Sequence, residues 1–460
     1  MTKLNSINPA DGSIVGSVKI TSPKDVIKTV NKAKQAFKKW ENISIKKRVI
    51  YIRKFTKELM RQKRELAKSI TLEVGKPYKE AMEEVDFARE HLEYYIKEAS
   101  KFFQDKNVSN ICSTQTGKIT FEPYGTSTVI TPWNFPLGIP ILGIIPNILV
   151  GNTVIFKPSE ETPLTGKMII NIFKKIGLPA GVVNVIYGDG KIGRKLVDSP
   201  VDFIWFTGSS KVGHEIYKKC GFKFIRCLLE LGGSSPGVVF ADADLDKAVK
   251  DVVISRFFNC GQVCNAVKRL FVEEKIFPIF VKKLVGRVSN MKIGHPFSGA
   301  DIGPLVSEKQ LRLLISQVND AVKKGAKIEI GGKRLKEKQY KKGNFFLPTV
   351  VTNVDFKMRL LKEEVFGPVL PVISFEKMDQ VIEMANNTSY GLSAEIYTSD
   401  LAKAQKLAKE LEVGSVSINT FSDLPPDAPF GGYKMSGIGR QGGQFGFWNL
   451  CQMKYIHIEN

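Results

Sequence analysis

Two side chains of this sequence have the types and neighbours needed to make and break a thioester. Cys264 closes the run Phe258-Asn259-Cys260-Gly261-Gln262-Val263-Cys264, and Glu230 precedes a glycine pair in Leu228-Leu229-Glu230-Leu231-Gly232-Gly233, 34 residues earlier. A thiolate attacks a carbonyl carbon, and a carboxylate activates the water that later releases the acyl group. Singly, each has an ordinary explanation: cysteine is often a small buried hydrophobe, and Glu-Leu-Gly-Gly can simply end a strand. A third candidate is Asn134 in Thr131-Pro132-Trp133-Asn134-Phe135-Pro136. Its amide sits on a proline-stiffened turn and can donate to an oxyanion, an interaction of about 3 kcal/mol in catalysis. The plain alternative is an asparagine that caps the next helix.

Two further segments suit a nucleotide. Lys157-Pro158-Ser159-Glu160 follows the strand-like Val154-Ile155-Phe156, and open α/β sheets bind ligands beyond the carboxyl ends of their strands. Lys157 can reach ribose hydroxyls there, and Glu160 can bind the adenosine ribose. An acidic residue at this point disfavours a 2′-phosphate, so NAD is expected, with NADP possible. Phe206-Thr207-Gly208-Ser209-Ser210-Lys211-Val212-Gly213 reads as a strand–turn–helix entry whose N–H groups can face a pyrophosphate. It is not a GxGxxG pattern. The ordinary readings of the two are an exposed ion pair and a helix cap.

These groups need elements to position them. From Pro123 to Phe156 the chain carries no charged residue, but prolines at 123, 132, 136, 140 and 146 oppose a membrane span. Locally the stretch reads as a strand over Thr126 to Thr131, a buried helix over Ile141 to Leu149, and a strand over Asn152 to Lys157. A helix starts at Ser22-Pro23, and long amphipathic segments cover Ile45 to Gly75 and Lys79 to Phe103. Then Val182 to Ile186, Gly193 to Asp198, Phe203 to Thr207 and Val212 to Lys219 alternate strand and helix. A second alternating series runs from Ala241 to about Asn419. The expected class is α/β with doubly wound parallel sheets.

The bulk numbers bound the setting. With 460 residues, 43% hydrophobic and 25% charged, two or more domains with real cores are expected. Six cysteines form no CxxC pair, and no basic leader with an apolar stretch opens the chain, so reduced thiols in the cytoplasm are expected. The net charge of +22 raises nucleic acid as a partner. Its lysines are spread over many helix-like segments with no nucleic-acid motif, so neither nucleic acid nor membrane is expected to bind.

Taken together and in this order, the segments resemble the aldehyde dehydrogenase superfamily from Asn8-Pro9 to the final strand. Further matches are Glu363-Glu364-Val365-Phe366-Gly367-Pro368-Val369, Tyr390-Gly391-Leu392-Ser393-Ala394 and the run from Pro429 to Gly437. The resemblance implies two doubly wound parallel-sheet domains plus a small β oligomerisation arm. It assigns 1–113 and 125–231 to a dinucleotide-binding domain, 232–440 to a catalytic domain, and 114–124 with 441–460 to bridging strands of a dimer or tetramer. It makes Cys264 the nucleophile, Glu230 the base, and Asn134 with the Cys264 N–H the oxyanion donors. Cofactor contacts fall to Thr131, Trp133, Lys157, Ser159, Glu160, Gly208, Ser209, Gly213, Leu231, Glu364 and Phe366. No metal is implied. Cys260 is expected to pack, and no histidine occupies a catalytic position, which disfavours a phosphorylating enzyme.

The general character is nearest to succinate-semialdehyde and lactaldehyde dehydrogenase-like members. Relatives that oxidise succinate semialdehyde tend to hold its carboxylate with an arginine eight residues after the motif asparagine, and some add one six before the cysteine. Here those positions are Leu142 and Phe258. A pocket of Phe135, Ile139, Leu142, Phe258 and Val263 would strand a carboxylate, so a small uncharged aldehyde is expected. Succinate semialdehyde, and acylation of coenzyme A, are the alternatives; relatives that use coenzyme A typically lack the Glu230 equivalent.

Overall fold

The computed structural model describes residues 2–112 and 115–459, without the side chains of 109–112. The expected domain boundary at 113/114 lies outside the described residues. Two sheets carry the molecule. The first has the order Gly437–Ile438, Arg226–Glu230, Phe203–Thr207, Thr126–Ile130, Thr153–Lys157, Val183–Val185. Its last five strands are parallel, and Gly437–Ile438 runs antiparallel on the edge beside Glu230. The first of the parallel strands in sequence, Thr126–Ile130, lies in the middle, so chain order reverses there and opens a crevice at the carboxyl ends.

The uncharged stretch becomes the heart of this unit. Every residue of Thr126–Ile130 and Thr153–Lys157 is buried, as parallel strands covered on both faces must be. Between them the helix Gly138–Val150 is buried at all positions except Ile139. Thirteen residues span about 20 Å, short of the roughly 30 Å apolar layer of a bilayer. No helix among the described residues is long and apolar enough to cross a membrane. Two expected amphipathic segments resolve into three helices, Ile45–Arg61, Lys63–Val74 and Tyr78–Phe102. The first two are separated only at Gln62, whose N–H bonds back to Glu58 O and Leu59 O.

The second sheet has the order Lys327–Ile330, Thr349–Thr352, Val369–Phe375, Val267–Glu273, Ser235–Val239, Ser393–Tyr397, Ser415–Ile418. Only Lys327–Ile330 is antiparallel. A separate antiparallel sheet joins Cys451–Glu459, Gln115–Pro123 and Lys106–Cys112. Two strands pair away from the unit that precedes them in sequence. Lys106–Cys112 belongs to this arm and not to the first unit, and Gly437–Ile438 pairs with the first sheet and not the second. Both strands are short and locally featureless; long-range pairing decides where they go.

Candidate active site

The carboxyl ends of the first sheet collect the expected nucleotide contacts. Thr131 follows one strand, Lys157 ends the next, Thr207 ends a third with Gly208 just after it, and Glu230 ends the fourth with Leu231 just after it. Lys157 is buried, its Nζ 3.2 Å from Pro158 O and 3.7 Å from Glu160. Burial holds its pKa down, against the pull of Glu160. Ser159 is buried and accepts from the Glu161 N–H at 3.3 Å. Ser209 is the N-cap of Ser210–Lys223 but accepts the Val212 N–H at a long 3.5 Å, so its oxygen stays exposed. A Cβ at Gly213 would meet the Leu231 methyl groups, so any larger residue there would have to displace that side chain. The hydroxyls of Thr131, Thr207 and Ser210 are buried without partners. Buried polar atoms are normally paired, and a nucleotide supplies the hydroxyls and phosphate oxygens that would pair these. The residues fit such a group.

Glu364 faces this cleft from the second sheet's side. Its Oε1 accepts from the Gly233 N–H at 3.1 Å and from Lys268 Nζ at 2.8 Å. A Cβ at Gly232 would strike Glu364, and one at Gly233 would lie 2.7 Å from Cys264 O. The glycine pair after Glu230 therefore admits both the carboxylate and the cysteine loop. Phe366 meets Trp133 edge-on at 5.5 Å.

Cys264 and Glu230 share the wall of one cavity of about 370 Å³. Glu230 is 3% exposed, and neither carboxylate oxygen has a partner. Burial raises its pKa well above the ordinary carboxylate value, with Arg440 opposing. The strand that carries it is clamped on both sides, by Phe203–Thr207 and by Gly437–Ile438. Cys264 is half-buried. Burial pushes its thiol up to about 11; Lys268 pulls it down, while Glu364 and Glu230 push it further up.

The loop before Cys264 is strained and tightly held. Asn259, Cys260 and Gly261 all have positive φ, at 50°, 56° and 71°. For the two non-glycines this costs of order 1–3 kcal/mol each. Asn259 Nδ2 donates to Asn134 O at 3.0 Å, Gln262 Nε2 donates to Asn259 O at 3.0 Å, and Gln262 Oε1 accepts the Val306 N–H at 2.9 Å. Cys260 is 2% exposed within the second core and is far from the cavity wall in role, as packing requires. Asn134 is buried too, and its Nδ2 donates to Gln262 O at 3.0 Å. It stands behind the cavity wall, beside Phe135, with its second N–H unpartnered by protein among the described residues.

All five expected pocket residues, Phe135, Ile139, Leu142, Phe258 and Val263, line the cavity, and no lysine or arginine does. The two basic residues that follow Cys264 on the strand Val267–Glu273 are committed elsewhere. Lys268 bonds to Gly233 O, Cys264 O and Glu364; Arg269 bonds to Ser234 O, Met384 O and Ala385 O.

Sequence reasoning missed the row on Tyr78–Phe102 that holds both loops. Glu84 Oε1 accepts the N–H groups of Leu137 and Gly138, at the entry to the helix after Asn134. Its other oxygen pairs with buried Lys76 at 2.6 Å. One turn earlier Glu80 accepts the Asn259 N–H at 2.8 Å. The i, i+4 spacing of Glu80 and Glu84 was the available signal; the backbone groups they hold are distant in sequence.

A doubly wound sheet with a nucleotide-type crevice, facing a thiol and an unpartnered carboxylate on one cavity, defines an α/β enzyme of covalent, nucleotide-assisted chemistry. The chain belongs to the aldehyde dehydrogenase family, whose model matches residues 1–456. It is 35% identical to a succinate-semialdehyde dehydrogenase [NADP(+)] of Escherichia coli, over 98% of this chain and 93% of that one. It is 37% identical to a betaine aldehyde dehydrogenase of Bacillus subtilis, with the same two coverages. A betaine aldehyde dehydrogenase of Staphylococcus aureus, solved with NAD+, superposes with a TM-score of 0.96 at 34% identity, covering 100% of this chain and 92% of that one.

Proposed function

We propose that this aldehyde dehydrogenase oxidises a small, uncharged aldehyde to its carboxylic acid with NAD, NADP being the alternative cofactor. The observation that carries the substrate reading is the cavity: its mostly apolar lining includes the carboxylates Glu83, Glu84, Glu230 and Asp423 and no lysine or arginine to meet a substrate carboxylate. Leaving such a group unpaired costs several kcal/mol.

In this reading Cys264 attacks the aldehyde carbon to give a thiohemiacetal. The second N–H of Asn134 and the backbone N–H of Cys264 would turn to the oxyanion. The bound nicotinamide supplies hydride acceptance. Glu230, raised by burial, takes a proton from the water that cleaves the thioester. Thr131, Lys157, Ser159, Glu160, Gly208, Ser209, Gly213 and Leu231 hold the adenosine and pyrophosphate side, and Glu364 with Trp133 and Phe366 the nicotinamide side. The first sheet, with the helices before it, serves as the dinucleotide-binding unit and the second as the catalytic one. The three-stranded arm supports a homo-oligomer: Met453, Tyr455, Ile456 and Ile458 are exposed on its edge strand, which is a template for pairing. A cytoplasmic setting fits the free thiols.

The test is a steady-state comparison of succinate semialdehyde with a neutral aldehyde of similar length. The neutral substrate should have the higher kcat/KM, and Leu142→Arg should narrow or reverse that order by about ten- to a hundredfold. A wild-type preference for succinate semialdehyde would sink the reading and leave the succinate-semialdehyde alternative standing.

A further inference from the structure

Lys268 lies on the strand Val267–Glu273, against the backbone of Cys264, with a side chain 0% exposed. An ammonium has three N–H donors, and all three are used: Gly233 O at 2.9 Å, Cys264 O at 2.7 Å and Glu364 Oε1 at 2.8 Å. One side chain thus touches the turn after the Glu230 strand, the backbone of the expected nucleophile, and the carboxylate expected to bind the cofactor ribose. Its Nζ also lies 5.5 Å from the Phe366 ring.

Stability alone does not account for a charge in this place. Replacing a buried ion pair by apolar residues of similar volume is often neutral or stabilising. The charge has a target. Burial, Glu364 and Glu230 disfavour the Cys264 thiolate, while Lys268 and the Asn265 N–H favour it, and Lys268 is the cation among these groups. Arg256, from the helix Leu245–Phe257, acts on Lys268 but is turned away to Val365 O and Gly367 O. Arg440 acts on Glu230.

We infer that Lys268 is a positioning residue that joins the cofactor site to the nucleophile: its ammonium fixes Glu364 toward the cofactor and sets a positive charge against the Cys264 backbone. The inference rests on the reading of Cys264 as nucleophile and Glu364 as cofactor ligand. Two substitutions in the full-length enzyme separate charge from scaffolding. Lys268→Gln keeps amide donors for the carbonyls but removes the charge; Glu364→Gln removes the opposing negative charge.

The readouts are iodoacetamide alkylation of Cys264, followed by peptide mass against pH without cofactor, and the Kd for NAD. Lys268→Gln should slow alkylation at pH 9 about tenfold, the equivalent of one pKa unit, and weaken NAD severalfold. Glu364→Gln should also weaken NAD but speed alkylation. Opposite signs at the thiol with the same sign at the cofactor are not produced by loosened packing. Wild-type alkylation in folded Lys268→Gln overturns the inference. Should that variant not fold, unchanged or slower alkylation in Glu364→Gln overturns it equally. A Cys264→Ala control keeps the failures apart: dehydrogenase activity surviving there removes the nucleophile assignment itself, whatever Lys268 does.

Discussion

At the scale of the residue, two cysteines four positions apart have been given opposite surroundings. Cys264 lines the cavity, while Cys260 is enclosed in the second core and held in a left-handed backbone conformation. Cys264→Ser or Cys264→Ala should abolish turnover while NAD still binds. Cys260→Ala should keep most activity; equal losses in both would undermine the distinction. Glu230→Gln should release one equivalent of NADH in a burst and then stall at the thioester, and steady turnover at the wild-type rate would remove Glu230 from the mechanism. These residues were legible in the sequence because each sits in a compact local pattern. Lys268 was not: the sequence shows a basic residue four after the cysteine, which invites a substrate-carboxylate role. Only the fold turns it toward Glu364 and away from the cavity.

At the scale of the element, Tyr78–Phe102 braces the two loops that meet at the site. Glu84 and Lys76 have fully buried side chains, so Glu84→Gln leaves an ammonium unpaired and should cost about 3–5 kcal/mol, seen as a large fall in melting temperature. Glu80 behaves differently. Burial pushes it up to about 8, against the pull of Lys76 and the Asn259 N–H. An acid whose folded pKa exceeds its unfolded value stabilises the fold at low pH and loses that contribution as pH rises. Here the loss runs from about the ordinary value of 4.5 through about 8. Denaturant midpoints for the wild type should therefore fall across that window relative to Glu80→Gln, and a constant gap between the two would contradict the assignment. Strands and helices of the two alternating series were readable from short apolar runs and spacing. Glu80 and Glu84 read there as an ordinary polar helix face, because their partners lie 179 and 53 residues away.

At the scale of the whole molecule, two exposed apolar features ask for cover. One is the edge strand Cys451–Glu459; the other is the turn with Phe222 and Phe224, exposed at 89% and 98%. Phe224 also has a left-handed φ of 55°. Light scattering at micromolar concentration should give a dimer or tetramer mass, and a monomer would contradict the oligomer proposed from the arm. The arm was expected from the family resemblance, but not the aromatic turn, which reads as the end of an amphipathic helix.

The hydrogen bonds that close the active site also set a clock. Asn134 reaches Gln262 across 128 residues, Glu80 reaches Asn259 across 179, and Ser436 reaches Gly232 across 204. Each such contact forms only after a large loop has closed, and large chains acquire structure unit by unit. Helical content should thus return early in refolding, while burst-competent Cys264 appears last. A chain stopped partway would look largely native by circular dichroism and yet be chemically silent.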